Sequence, residues 1–217
     1  MGADNHEIVR AGYDLIANEY FERMAGRRSR SEVLAQAARH IAAVKERVPR
    51  GGNIIDLGCG AGVPFTCALA DDFDVTGVDF SERQLELARR LVPQATFIQS
   101  DMTEVEFPDA SVDAVTAFFS IIHVRRELHA QLFGNIARWL RLGGVFLASL
   151  GTKDRAEDWE EGWLGAPRMF WSYHTSEEAL KQITDAGLEV QRAETETVED
   201  GIDGPETFFW VLARKRL

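Results

Sequence analysis

Ile54-Ile55-Asp56-Leu57-Gly58-Cys59-Gly60-Ala61-Gly62 is the stretch from which the fold can be read. Two apolar residues lead into an acid, and three glycines then alternate with other residues. A buried parallel strand that ends in a turn without side chains lets a ligand lie against bare backbone amides at a helix start. The spacing is G-x-G-x-G, and the dinucleotide fingerprint is G-x-G-x-x-G. Asp56, two residues before the first glycine, would repel a pyrophosphate and favour a cationic or hydroxyl-bearing ligand. The turn therefore points away from a nicotinamide dinucleotide.

A second acid, Asp79, closes the run Phe73-Asp74-Val75-Thr76-Gly77-Val78, about one βαβ unit downstream. An acid at the tip of the second strand is where α/β nucleoside sites hold ribose hydroxyls. Ser81 with Gln84 three residues later reads as a capping box that starts a helix. A third acid, Asp101, ends the run Ala95-Thr96-Phe97-Ile98-Gln99-Ser100. Three strand tips with carboxylates and one glycine-rich helix start describe a nucleoside pocket along the carboxyl edge of a parallel sheet.

These residues, with Val78-Asp79-Phe80-Ser81, Ser100-Asp101-Met102, Phe118-Phe119-Ser120-Ile121-Ile122-His123 and Leu140-Arg141-Leu142-Gly143-Gly144, resemble the class I S-adenosylmethionine-dependent methyltransferases of the bacterial small-molecule type. The resemblance covers roughly residues 10 to 150 well and the rest loosely. It implies S-adenosyl-L-methionine as cofactor, bound by Tyr20, Asp56, Gly58, Cys59, Gly60, Asp79, Phe80, Asp101, Met102 and Phe118. Asp79 is expected on the ribose hydroxyls. Asp101 is expected on the adenine amino group, with Phe80 and Met102 packing the ring.

Composition agrees with such a protein. A chain of 217 residues with 45% apolar residues suits one globular domain. Neither a membrane span nor a signal peptide is indicated. The two cysteines, Cys59 and Cys67, fit no metal spacing and read as packing thiols of a cytoplasmic protein. A net charge of −11 argues against a nucleic-acid substrate. The acidic run from Glu194 to Glu206 holds six acids and no base, and reads as a solvated strand and loop.

Along the chain, helices are expected over 6–21, 31–47, 62–70, 82–91 and 126–141. Strands are expected near 53–57, 74–78, 95–99, 112–118 and 144–150. In the second helix, Leu34, Ala37, Ala38, Ile41 and Val44 share one face. Gly143-Gly144 reads as the stop of the helix over 126–141. Thr175 with Glu178 caps a further helix ending at Gly187, and strands near 188–195 and 206–214 can pair as a hairpin. The sum is an α/β, doubly wound, mostly parallel seven-stranded sheet with an antiparallel C-terminal hairpin and N-terminal lid helices. We read 1–217 as a single domain: N-terminal helices over 1–50, a cofactor-binding core over 51–150, a substrate-side connection over 151–175, and a C-terminal helix and hairpin over 176–217.

Two segments depart from the alternation. The first helix carries Tyr13, Tyr20, Phe21 and Met24, which either cover the cofactor or pack on the sheet. Residues 152–174 hold Trp159, Trp163, Met169, Phe170, Trp171, Tyr173 and His174. Aromatics this dense in a long connection suggest a lined cavity, so Tyr13, Trp163, Phe170 and Tyr173 are expected to bind the substrate.

Methyl transfer from an activated sulfonium is a direct in-line displacement. The protein must align the acceptor and, for a hydroxyl, remove a proton. Of five histidines, His123 follows the fourth strand at the sheet edge and His174 lies in the aromatic connection. Either can be the base. No nucleobase-type Asn/Asp-Pro-Pro-aromatic turn, no magnesium-type acid and amide cluster and no cysteine set is present. A metal-free enzyme acting on a small organic molecule, as monomer or homodimer, remains. The alternative is a protein of the same fold that binds the cofactor and catalyses a non-methylating reaction or none.

Overall fold

The computed structural model describes residues 5–26, 29–201 and 204–216; the side chains of 24–34, 36, 37, 198–201 and 204 lie outside that description, among them the expected face residues Met24, Leu34 and Ala37. Seven strands form one sheet: β1 Asn53–Leu57, β2 Asp74–Asp79, β3 Thr96–Gln99, β4 Val112–Ala117, β5 Leu140–Leu150, β8 Leu188–Gly201 and β9 Gly204–Lys215. Their order is β3-β2-β1-β4-β5-β9-β8. The first five are parallel to their neighbours, whereas β9 is antiparallel to β5 and to β8. The switch in order beside β1 opens a crevice at the carboxyl ends of β1, β2 and β4, where ligands of doubly wound sheets bind.

The near-continuous apolar runs arise because both faces are covered. In β1, Ile55 and Leu57 face one core and Ile54 the other. The first core is shared with α5 (His129–Trp139) and α6 (Ser176–Asp185) through Leu132, Phe133, Ile136, Trp139 and Ile183. The second takes Ile41 and Val44 of α2 (Ser29–Lys45) and Leu69 of α3 (Phe65–Ala70). In α4 (Glu82–Leu91), Leu85 and Ala88 are buried. No helix among the described residues is long and apolar enough to cross a membrane.

Several details differ from the sequence reading. The helix expected over 126–141 is a 3-10 turn over Arg126–Leu128 followed by α5, which ends at Trp139. Its last carbonyls, Arg138 and Trp139, accept from Ala110 N–H, Ser111 N–H and the Lys215 ammonium, which also bonds the Leu140 carbonyl, so tertiary donors meet its end before the glycines are reached. Gly143, at φ 77°, instead lies inside β5. The described part of the acidic run lies on β8 and β9, and it is not simply solvated: Glu196 pairs with Arg39 and with His40 at 3.1 Å.

The largest difference is the segment over 152–174. It forms a separate two-stranded antiparallel sheet of β6 (Arg155–Glu160) and β7 (Met169–Tyr173). Met169 and Phe170 are fully buried against Val9 and Ile16 of α1 (Asn5–Gly26). Gly12 makes that docking possible, since a Cβ there would collide with Met169 Sδ. Helix α1 thus packs on the small sheet, and the same apolar stripe brings Tyr13 and Tyr20 over the crevice.

Candidate functional site

A cleft of about 660 Å³, open mouth included, lies along the carboxyl ends of β1 to β4 under α1. Tyr13, Tyr20, Gly58, Gly60, Asp79, Phe80, Asp101, Met102, Phe118 and His123 all line it.

The glycine turn sets the floor. Gly58 has φ 69°, and a Cβ on it would collide with Ser120. Gly60 has φ 52°, and a Cβ there would meet only Gln84 Oε1, at 3.7 Å. Only glycine takes both backbone angles without strain, and at Gly60 it leaves the turn open to a ligand. The Asp79 carboxylate accepts from Gly60 N–H and Ser81 N–H, each at 2.9 Å. Burial pushes its pKa up to about 6 against those two hydrogen bonds.

Asp56 does not reach the cleft. It accepts from Thr66 Oγ1 at 2.6 Å and Thr116 Oγ1 at 2.8 Å, bracing β1 to α3 and β4. Burial raises it to about 6, with the two threonines opposing. Cys59 does not line the cleft either. Its thiol packs where a Cβ of Gly77 would be, 2.8 Å from Sγ, and burial pushes it well above the ordinary thiol range. Both were expected to touch the cofactor directly; here neither lines the cleft, and each side chain supports the turn from behind.

Asp101 Oδ1 accepts from Thr103 N–H and Thr103 Oγ1–H at 2.7 Å, while Oδ2 pairs with His6 Nδ1 of α1. Burial pushes this carboxyl up, but His6 and Thr103 outweigh it and hold it below its ordinary value. His6 was not foreseen as part of the site, because nothing near it in sequence marks it.

At the other end, His123 Nδ1–H donates to the Phe170 carbonyl at 2.8 Å. That fixes the tautomer and leaves a lone pair on Nε2, which accepts from Tyr13 O–H at 2.9 Å. Burial lowers His123 to about 4, opposed by the Phe170 carbonyl. It raises the Tyr13 phenol well above its usual value, and carries Tyr20 to about 12. Imidazole and phenol are therefore both neutral around pH 7.

His174 is elsewhere. Its Nε2–H donates to the Arg126 carbonyl at 3.2 Å, and its ring meets His129 edge-on at 5.7 Å. Trp163, Phe170 and Tyr173 do not line the cleft. Trp163 backs Tyr13 and Tyr20 at ring distances of 6.1 and 6.0 Å, Phe170 offers only its carbonyl, and Tyr173 fills the space above Gly151. The aromatic segment folds on itself and on α1, so its rings support the lining from outside. Phe119, Ser120, Val124, Ser100 and Gln84 line the cleft without having been anticipated there. The signal for Gln84 was its place in the capping box. Among the described residues, His40, Glu194 and Glu196 lie close enough together to hold a metal, and none of them faces the cleft.

Residues 54–144 match the methyltransferase domain family. With the sheet order and the strand-tip acids, this match supports a class I S-adenosylmethionine-dependent methyltransferase. It is similar to the 27-O-demethylrifamycin SV methyltransferase of Amycolatopsis mediterranei, 38% identical over 101 residues, covering 43% of this chain and 36% of that protein. A probable S-adenosylmethionine-dependent methyltransferase of Mycolicibacterium smegmatis is 29% identical over 75% of this chain and 59% of its own length. In both cases the match spans less than two thirds of the curated relative. The fold is that of Burkholderia thailandensis 1,6-didemethyltoxoflavin-N1-methyltransferase, whose crystal structure holds 1,6-didemethyltoxoflavin and S-adenosylhomocysteine. The TM-score is 0.73 at 16% identity, over 100% of this chain and 92% of that one.

Proposed function

We propose that this chain transfers the methyl group of S-adenosylmethionine to a small, uncharged organic acceptor without a metal, in the cytoplasm. The observation that carries this reading is the convergence in one cleft of the open glycine turn, the Asp79 carboxylate and the Tyr13–His123 pair. The lining fits the cofactor: Gly60 leaves room at the turn, and Asp79 has lone pairs for a pair of sugar hydroxyls. Bound S-adenosylmethionine supplies an already activated methyl group.

The chain's own residues bind, orient and take a proton. Asp79 holds the ribose hydroxyls, while Phe80, Met102, Asp101 and His6 form the end of the cleft for the base. Tyr13, Tyr20, Phe118 and Phe119 give the cleft apolar walls, and no lysine or arginine among the described residues lines it. That lining favours an uncharged acceptor, because an anion would lack a partner. His123 takes the acceptor's proton on Nε2, where Tyr13 O–H now donates. The acceptor hydroxyl either replaces the phenol there or passes its proton through it. Phe170 steadies the imidazolium through Nδ1–H. Of the two acids in the described lining, Asp101 is committed to threonine and histidine partners and Asp79 to the ribose, which supports a metal-free reaction.

Incubation with S-adenosylmethionine and a metabolite panel tests this, with mass spectrometry following S-adenosylhomocysteine release and the gain of one methyl group. Turnover of at least one panel member is expected, undiminished by EDTA. Cofactor binding without S-adenosylhomocysteine formation across the panel would favour the non-methylating alternative.

A further inference from the structure

Gln84 stands at the third position of α4, after the N-cap Ser81. Half of the expected capping box is present: Gln84 backbone N–H donates to Ser81 Oγ at 3.2 Å. The other half would be the Gln84 side chain accepting from Ser81 N–H. That donor is already taken by Asp79 Oδ1 at 2.9 Å. The Gln84 amide is thereby released from capping, and its Oε1 and Nε2 both lack a hydrogen-bond partner although the residue is 1% exposed. Such a group costs stability unless something satisfies it, and it commonly marks a place where a ligand does so.

The amide lines the cleft beside the two groups that would meet a sugar, Gly60 and Asp79. An ionised carboxylate only accepts. A hydroxyl that donates its proton to Asp79 keeps lone pairs that need a donor in a buried place. Phe80, the neighbouring lining residue, has no side-chain N–H or O–H to donate, whereas Gln84 Nε2 has two N–H. We infer that Gln84 is a further nucleoside-recognising residue, with Nε2–H donating to a ribose hydroxyl whose own proton goes to Asp79. This rests on the cofactor reading above.

Calorimetry with S-adenosylhomocysteine on the wild type, Gln84→Met and Gln84→Glu tests it, together with apo melting temperatures. Gln84→Met keeps the volume and removes both polar atoms; Gln84→Glu keeps the shape and removes the donor. Each variant should bind about 5- to 30-fold more weakly, the loss of one well-placed hydrogen bond. Apo Gln84→Met should melt at or above the wild-type temperature, because an unsatisfied buried amide has gone. Analogues lacking the 2′- or the 3′-hydroxyl complete a cycle: for one of them, the penalty of Gln84→Met should vanish. Binding within twofold of wild type in either folded variant, or the same penalty with both deoxy analogues, would overturn the assignment. Wild-type protein that binds no S-adenosylhomocysteine would remove the cofactor reading and this inference together, an outcome distinct from the first two.

Discussion

Asp79 carries the nucleoside end of the site, and its environment sets how it titrates. Losing two charge-assisted hydrogen bonds costs about 2–4 kcal/mol, so Asp79→Ala should weaken S-adenosylhomocysteine by roughly 30- to 1,000-fold in calorimetry. Affinity within threefold of wild type would rule the role out. Its raised pKa of about 6 adds a pH dependence. Above pH 6 the carboxylate is ionised and can accept from a diol. As pH falls through 6 it takes up a proton first, so affinity should weaken by about tenfold for each further unit. His123 behaves in the opposite sense. An accessible imidazole titrates near 6.5, but burial holds this one at about 4, so it is unprotonated from pH 5 upward. The rate through His123 should therefore show no inflection of its own between pH 6 and 7. His123→Ala should lower turnover by about 10²- to 10⁴-fold while cofactor affinity hardly changes. His174→Ala should leave turnover near wild type, since its ring is tied to Arg126 away from the cleft. Loss of activity in His174→Ala with retention in His123→Ala would show that the base has been misplaced.

Two helix caps of the same chemistry separate the elements that serve the site from those that only complete the fold. Ser81 caps α4 and also donates from Oγ to Asp14 of α1 at 2.7 Å. Thr175 caps α6, accepting from Glu178 N–H at 3.3 Å, and no residue of α6 lines the cleft. Either cap should cost about 1 kcal/mol on replacement by alanine, read from urea unfolding. Only Ser81→Ala should also weaken S-adenosylhomocysteine binding, because it loosens α1 above the nucleoside end. Equal affinities in the two variants would mean that α1 is held without the Ser81 contact, by Val9 and Ile16 on Met169 and Phe170 and by His6 and Tyr13 on Asp101 and His123.

Across the molecule, five buried or half-buried groups oppose one another on the acid side. His40, His123 and His129 are each lowered to about 4, in all three first by burial. Between pH 6.5 and 4 the unfolded chain binds protons there that the folded chain does not, so stability falls as pH falls. Asp56 and Asp79 are raised to about 6, so over much of the same window the folded chain binds protons that the unfolded chain does not. Their contribution to stability grows as pH falls. Three histidines against two aspartates leave a net release of about one proton on folding, a slope of about 1.4 kcal/mol per pH unit. Urea unfolding at pH 5 and pH 6 should show that mild loss, and His129→Gln should flatten it. An unchanged slope in His129→Gln would show that His129 is not held neutral by burial.

Much of this was determined by the sequence itself, because it depends on neighbours a few residues apart. The apolar run into Gly58-Cys59-Gly60, the acids at Asp79 and Asp101, and the caps at Ser81 and Thr175 are local signals, and each marks an element the structure contains. The doubly wound order follows from strands that alternate with helices and are apolar on both faces. The tertiary structure alone decided which way each side chain faces. Asp56 reads as a ligand group until Thr66 and Thr116, from two other elements, take both its oxygens. The strand Arg155–Glu160 has no alternating apolar face; pairing with β7 makes it a strand, and docking by α1 from the other end of the chain covers β7. That docking turns the aromatic segment away from the cleft, brings Tyr13 to His123 and His6 to Asp101, and supplies the burial that moves His123 from an ordinary imidazole to one neutral down to about pH 4. Long-range contacts of this kind have no periodicity within one segment, so they become visible only once the chain has folded.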